Sequence, residues 1–600
     1  MSEVKTCRHR PALTNAAGSD VYDAACTGGT LTDDHRDAHS PVGKLRFCGK
    51  SGNMGSNVKS AVSRIVVIVG LVAAGTSVCA ASGSPGRSSP AAGSQCPGNP
   101  VQVQPSDNLQ TLVTACPSGT RFNLAAGVHH DSVTSIPSND VFNGVPGAIE
   151  NGANTLTGWT QVTINSVVYW TTAGGTPILT HRNSSYCQSG YAGCYYPQDL
   201  YLDSVTQTHV TSLSNVAPGN WYYDYAGGDG GVVNNIYLAN TENPKSHTVE
   251  LGVLIYAFQS DNAKNITIQG LTLEKYAGQI DQGTIHVNHL GCGGCTASGW
   301  VIQNNEIRLS RMAGVGIGGG TSNIQILNNS IHDMGQYGIE GGGNVLGTKC
   351  FNSGSNCTVT PATNITVTGN TLYNNNTDKI DRGYGAGGQK FGATNDSVVS
   401  YNKVYNNGGG GLWSDDYCFN ITYDHNVVYD NVGQGIRLEI SDQQIVTNNI
   451  VYGNGTGGSN AQIVSANSSH LIATGNQVTV PNKPGGKGLD IEYDNHRQCN
   501  GPGTCTVPVE MNLHNNCIIL SSTDSTSGSS ALDNSSPSTF SLWSGNVHFD
   551  ANSYIPPSSS SSNNNWQWGQ LGTGTYTSFA HWRSLGQEQH KADATQNCHN

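Results

Sequence analysis

From about residue 264 onward, apolar and polar residues alternate in short runs, and these runs return at a regular interval. NITIQGLTL (265–273), WVIQNNEIRL (300–309), NIQILNNSIH (323–332), NITVTGNTLY (364–373), NITYDHNVVY (420–429) and QIVTNNIVYG (444–453) share one design. Each has β-branched residues at every second place, then an Asn, then a second short apolar strand. Period-2 alternation turns successive side chains to opposite faces of a strand. The aligned residues are Asn305, Asn329, Asn370, Asn402, Asn426, Asn449 and Asn476, spaced by 24, 41, 32, 24, 23 and 27 residues. A core period near 24 with occasional insertions suits neither a propeller blade nor a helical repeat. It predicts an all-β solenoid, the coils of a parallel β-helix. Asn and Gly tolerate the left-handed turns between strands, and Asn residues stacked on successive coils can exchange amide hydrogen bonds. The Asn repeat is therefore read as structural.

The flanks read differently. Ile65–Ala74 is the one long apolar run; Lys59 and Arg64 precede it and small residues follow through Ala80. That pattern, starting at Met54, predicts a secretory signal peptide over 54–80, too short to span a membrane. Residues 1–53 then become an over-extended start or a leader, and 81–95 a Ser/Gly/Pro linker. Residues 96–250 hold strand-like runs without the 24-residue period and are expected to form a β-rich N-terminal cap, followed by the β-helix over 251–525. Residues 526–600 combine a low-complexity loop with a C-terminal cap centred on FAHWRSLGQEQH (579–590).

Composition narrows the class. Only 11% of the 600 residues are charged, 76 are Gly, and the net charge is −12. Few strong helix formers argue against helical bundles, and the acidic balance speaks against nucleic acid or an anionic membrane as partner. Cysteines in close pairs (Cys96/Cys116, Cys187/Cys194, Cys292/Cys295, Cys350/Cys357 and Cys499/Cys505) on an exported chain favour disulfides over zinc. Their odd number after signal cleavage leaves one thiol free or bridging to another chain. The expectation is a secreted, extracellular protein.

Candidate chemistry lies on the strand that closes each coil. Alternation in Gly338-Ile339-Glu340, Gly411-Leu412-Trp413-Ser414-Asp415, Gly435-Ile436-Arg437-Leu438-Glu439 and Gly488-Leu489-Asp490-Ile491-Glu492 puts the aliphatic residues inside. The outer face then displays Glu340, Lys390, Trp413, Asp415, Arg437, Glu439, Asp490 and Glu492, with His286 further upstream. Taken singly, Glu340 or Asp490 reads as a solvated face. Lys390, Asp415 and Glu439, separated by 25 and 24 residues, are expected to form a ladder on consecutive coils about 4.8 Å apart. Carboxylates that close repel, which raises the pKa of one and separates a proton donor from an ionised partner. Trp413 would offer a flat surface to a sugar ring, and Arg437 and Lys390 would orient acidic groups. Asp416 either points the other way, begins the turn or acts as a further ligand.

The coils GGQKF (387–391), GLWSD (411–415) and GIRLEIS (435–441) resemble a GGxKF/GLWxD/GIxxEIS subgroup of secreted bacterial proteins. These are right-handed parallel β-helix proteins of the pectate-lyase-like superfamily. CQSGYAGCYYPQDLYLD (187–203) and VTSLSNVAPGNWYYDYA (210–226) are similar to that subgroup as well. The resemblance implies a right-handed parallel β-helix and activity on carbohydrate, though the fold hosts lyases, hydrolases, epimerases and binding proteins. The polygalacturonase signature (NTD, a DD pair, RIK) is absent, and the Lys-then-Arg order of a chondroitinase-B-like lyase is broken by Asp415.

The first reading is a glycoside hydrolase with Asp415 and Glu439 as its carboxylate pair and Lys390 beside them, requiring no cofactor. Trp413, Arg437, Glu340, His286, Asp490, Glu492 and Asp416 would contact a polysaccharide or oligosaccharide. The alternative is a polysaccharide lyase, with Lys390 or Arg437 as base and calcium held by Asp415 and Glu439. A third reading is a non-catalytic, adhesin-like glycan-binding surface protein. The sequence assigns neither the sugar nor an oligomeric state.

Overall fold

The computed structural model describes residues 95–590, apart from 179–183, 227–229, 290–291, 293, 347–357, 459–460, 494–498, 502–503, 506, 522–525, 534–536, 556–565 and 571–574. The expected leader and signal peptide fall outside the described residues. Three long sheets of thirteen, twelve and twelve strands wind around one core, almost every pairing parallel. Each coil contributes one strand to each sheet, for instance Ala362–Thr368, Thr371–Tyr373 and Gly387–Gly392. The chain is thus a β-helix, as the alternation and the Asn period required.

Register stacks like on like. In the first sheet Ile268, Ile302, Ile326, Val367, Val399, Tyr423 and Val446 lie side by side, all buried. In the second, Leu273, Ile307, Ile331, Leu372, Val404, Val428 and Val451 do the same. Burying about 25 cal/mol per Å² of apolar surface, rung after rung, drives this winding.

The predicted Asn residues form one continuous buried ladder. Each gives its backbone N–H and its amide to the carbonyl oxygen of the next, as from Asn402 to Asn426 at 3.0 and 2.9 Å. The chain continues through Asn516 to Asn552 and ends on the carboxylate of Glu588. A second ladder, Asn375–Asn407–Asn431–Asn454–Gln462, runs along another corner and had not been anticipated.

The solenoid starts earlier than residue 251. Val101–Val103, Arg121–Leu124 and Val141–Gly144 already belong to the first sheet, and Val141 pairs directly with Thr267. Phe122 and Phe142 stand 20 residues apart and carry no ladder Asn, so these tight coils escaped the 24-residue period. The segment expected as a cap therefore comprises the first coils plus an antiparallel insertion over 153–252, whose own core includes Trp159, Leu200, Trp221 and Leu251. The helix Leu109–Ala115 buries Leu109 and Val113 against the first coil. At the other end Trp582 is buried, and Gln587 bonds the backbone of Val547 and Phe549.

Among pairs wholly within the described residues, three disulfides form at expected places: Cys96–Cys116, Cys187–Cys194 and Cys292–Cys295. Cys350 and Cys357 lie outside the described residues, as do the side chains of Cys499 and Cys505. Cys418 is a free thiol, buried, and burial pushes it up to about 12.

Candidate functional site

The third sheet carries the polar stripe. Its pairings align Gln259, His286, Gly316, Glu340, Lys390, Trp413, Arg437, Val464, Asp490 and Ser530 in one outward column. A second column, two residues further along each strand, aligns Gly342, Gly392 and Asp415, then Glu439, Ala466 and Glu492. Continuing the Ser414–Leu438 pairing by one residue sets Asp415 beside Glu439. Gly392, the neighbour of Asp415 in this column, has no side chain to crowd it.

The expected Lys390–Asp415–Glu439 ladder is therefore corrected to two columns. Lys390 is in register with Trp413 and reaches Asp415 diagonally, Nζ to Oδ2 at 2.9 Å. A four-carbon stem spans that diagonal easily. The same ammonium donates to the Tyr384 carbonyl at 2.9 Å and sits 3.9 Å above the Trp413 ring. From the following coil the Arg437 guanidinium stacks 4.8 Å from that ring and bonds Glu439 Oε1 at 2.8 Å.

Trp413 consequently does not present a sugar platform. It is 4% exposed, with one cation lying against its ring from each neighbouring coil. Register decides this: a Trp stacked between Lys and Arg about 4.8 Å away on either side meets their side chains first. Its role is to hold the two cations.

Asp415 and Glu439 are 5% and 8% exposed, so only their edges face outward. Arg437 feels Glu439 most, then Asp415 and Glu492, and these carboxylates hold its pKa above the usual value despite burial. Two coils further, Lys487 bonds both Asp490 and Glu492 at 2.6 Å. Here the carboxylates divide: burial drives Asp490 well above the ordinary value, while Lys487, the hydrogen bond with Asp490 and Arg437 overcome burial and hold Glu492 at about 2. The shared ammonium thus serves two carboxylates of unequal acidity, Asp490 shifted up by burial and Glu492 shifted down.

Two expected residues fall away from the cluster. His286 lies in the column but two coils before Glu340, with Gly316 between. Its ring accepts the Gly283 N–H at 3.0 Å, stands against Tyr256, and is lowered to about 4, chiefly by burial. Asp416 sits half-buried in a left-handed turn at φ 39°, its N–H bonded to Asp415 Oδ1 at 2.8 Å. It thereby begins the turn.

Sequence reasoning missed Lys487, Tyr337, Tyr384 and Asp281. The Tyr384 hydroxyl bonds Asp281, and burial followed by the nearby Asp281, Glu340, Tyr384 and Asp415 raises the Tyr337 hydroxyl strongly. Asp281 and Tyr384 come from turns, where no alternation marks them. Lys487 and Tyr337 had a signal, each standing just ahead of the closing-strand residues Gly488-Leu489-Asp490 and Gly338-Ile339-Glu340. A separate cavity of about 380 Å³, lined by Asp199, His209, Arg311 and Asp378, lies under the antiparallel insertion and shares no residue with the stripe.

Residues 341–478 match a family described as "Right handed beta helix region". The chain has a right-handed parallel β-helix. Among solved structures it is similar to "The complex structure of XylC with xylose" (16% identity, TM-score 0.50, 68% of this chain and 72% of that one). It is also similar to the Azotobacter vinelandii mannuronan C-5 epimerase AlgE4 A-module (13% identity, TM-score 0.40, 74% and 90%). A third similar structure is titled "Glycoside hydrolase" (10% identity, TM-score 0.38, 83% and 100%). No curated protein matches the chain.

Proposed function

We propose that this chain is an exported carbohydrate-active enzyme that hydrolyses a glycosidic bond of a polysaccharide or oligosaccharide. The observation that carries the reading is the pair Asp415 and Glu439 on adjacent coils, each gripped by its own cation at 2.9 and 2.8 Å. Coils about 4.8 Å apart bring two carboxylates near the ~5 Å separation of a retaining pair. One protonates the leaving oxygen; the other attacks the sugar or activates water. Arg437, attracted by Glu439, Asp415 and Glu492, would stabilise whichever carboxylate is ionised as the proton moves. Asp490 and Glu492 add carboxyl oxygens further along the stripe, suited to sugar hydroxyls. XylC, whose fold this chain shares, is described in complex with xylose. The disulfides fit an oxidising compartment.

The stripe does less for β-elimination. Lys390 is bound to Asp415 and to the Tyr384 carbonyl and lies on the Trp413 ring, contacts it would have to leave to act as a base. Calcium between Asp415 and Glu439 would have to displace both Lys390 and Arg437.

The test is a panel of neutral and acidic polysaccharides, read by released reducing ends, with and without chelator. Hydrolysis predicts chelator-insensitive release, lost by about 10³-fold or more in kcat in Asp415→Asn and Glu439→Gln. Unsaturated, ultraviolet-absorbing products abolished by chelator would replace this reading with elimination. Glycan binding without turnover, unchanged in both variants, would replace it with a binding protein.

A further inference from the structure

The second sheet's inward column breaks its own rule at its start. From Leu273 to Ile518 each coil fills that place with Leu, Ile or Val, but the first two coils carry His129 and Glu150, paired in register with each other and then with Leu273. Val128 before His129 is exposed, so alternation itself sends His129 inward. Asp131 joins them from the next turn. The three residues are 0%, 1% and 3% exposed, and one donor atom from each lies within 4.8 Å of the other two.

The surroundings set the chemistry of each donor. His129 Nε2 is 2.8 Å from the Ala125 carbonyl, which can only accept, so Nε2 carries the hydrogen and Nδ1 the lone pair. That Nδ1 is buried with no hydrogen-bond partner. An imidazole oriented by a backbone carbonyl, with its free nitrogen turned into a nest of carboxylates, is the arrangement in which histidine binds metal. Asp131 is fixed as well, since its Oδ1 takes the Leu109 N–H at 3.1 Å and its backbone carbonyl takes the Tyr276 hydroxyl at 2.9 Å.

We infer that His129 Nδ1, Asp131 and Glu150 bind a divalent transition-metal ion inside the first coils, separate from the polar stripe. One nitrogen and two carboxylates suit zinc or manganese rather than a soft thiophilic ion. Two carboxylates and one dication sum to zero charge, which is what a low-dielectric core tolerates. Bonds of about 2.1 Å need donors about 3–3.6 Å apart, so the side chains close in by about 1 Å on loading. The ion would staple Asp131, and through it the Leu109–Ala115 helix, onto the open N-terminal end of the solenoid.

The experiment uses the full chain, dialysed against chelator and then titrated with zinc chloride by calorimetry, with metal content and unfolding midpoint measured in parallel. One equivalent should bind, and the midpoint should rise by about 2 °C or more at saturation. The double variant His129→Leu/Glu150→Leu restores the aliphatic column, so it should fold with a wild-type circular dichroism spectrum and bind no zinc. Absence of binding to the wild type, or undiminished binding to the folded double variant, would overturn the inference. If the double variant does not fold, Asp131→Asn is read in its place: zinc affinity reduced tenfold or more supports the site, and unchanged affinity overturns it.

Discussion

Replacing Asn402 by alanine tests the physical basis of the solenoid most directly. The Asn402 amide donates to the Val367 carbonyl and to Asn426 Oδ1, both at 2.9 Å, and its oxygen accepts the Asn370 N–H at 2.9 Å and the Asn370 amide at 3.0 Å. All of these groups are buried, so water replaces none of them when the side chain is cut back. Four lost bonds at about 1 kcal/mol each, with a backbone N–H left orphaned, amount to a loss of about 3–5 kcal/mol. Asn402→Asp sharpens the argument, because it keeps the volume and the accepting oxygen but turns an acceptor towards Val367 O and Asn426 Oδ1. It should be no milder than alanine. Urea unfolding followed by circular dichroism, with the slope checked for constancy, measures both. A loss below about 1 kcal/mol for alanine, or an aspartate variant clearly more stable than alanine, would refute the view that the ladder's directional hydrogen bonds hold the corner.

Other consequences follow from the same coordinates. Burial lowers His209 to about 3 and His286 to about 4, so both are neutral in the fold while the unfolded chain gains protons below about 6.5. Stability is therefore complete above about pH 6.5 and falls as pH drops towards 4, by about 1.4 kcal/mol per unit per histidine; denaturation series at several pH values that stay flat would contradict this. Lys487→Met leaves the buried Asp490 and the half-buried Glu492 without their shared cation and should cost about 3 kcal/mol by chemical denaturation. Reducing Cys96–Cys116, which closes a loop with a sequence separation of 20, should lower stability by about 3 kcal/mol, measured on Cys96→Ser/Cys116→Ser.

Much of this protein is local and therefore legible in the chain. Alternation in short runs identified the strands, and the recurring Asn identified the coil, because a strand has only two faces and a ladder needs the same residue at each return. That logic also placed Glu340, Lys390, Trp413, Arg437 and Asp490 on one outward face, where the register finds them. Which residue stands beside which was not local. A shift of two residues between neighbouring strands keeps every side chain on its face yet moves Asp415 out of line with Lys390 and places Trp413 between two cations. Residues delivered by turns, such as Tyr384 and Asp281, obey no period at all, and the first coils hid because they are shorter and lack the Asn. Periodic chemistry along one strand could be read from the order of residues. Contacts between coils depend on loop lengths and backbone register, which only the folded chain determines.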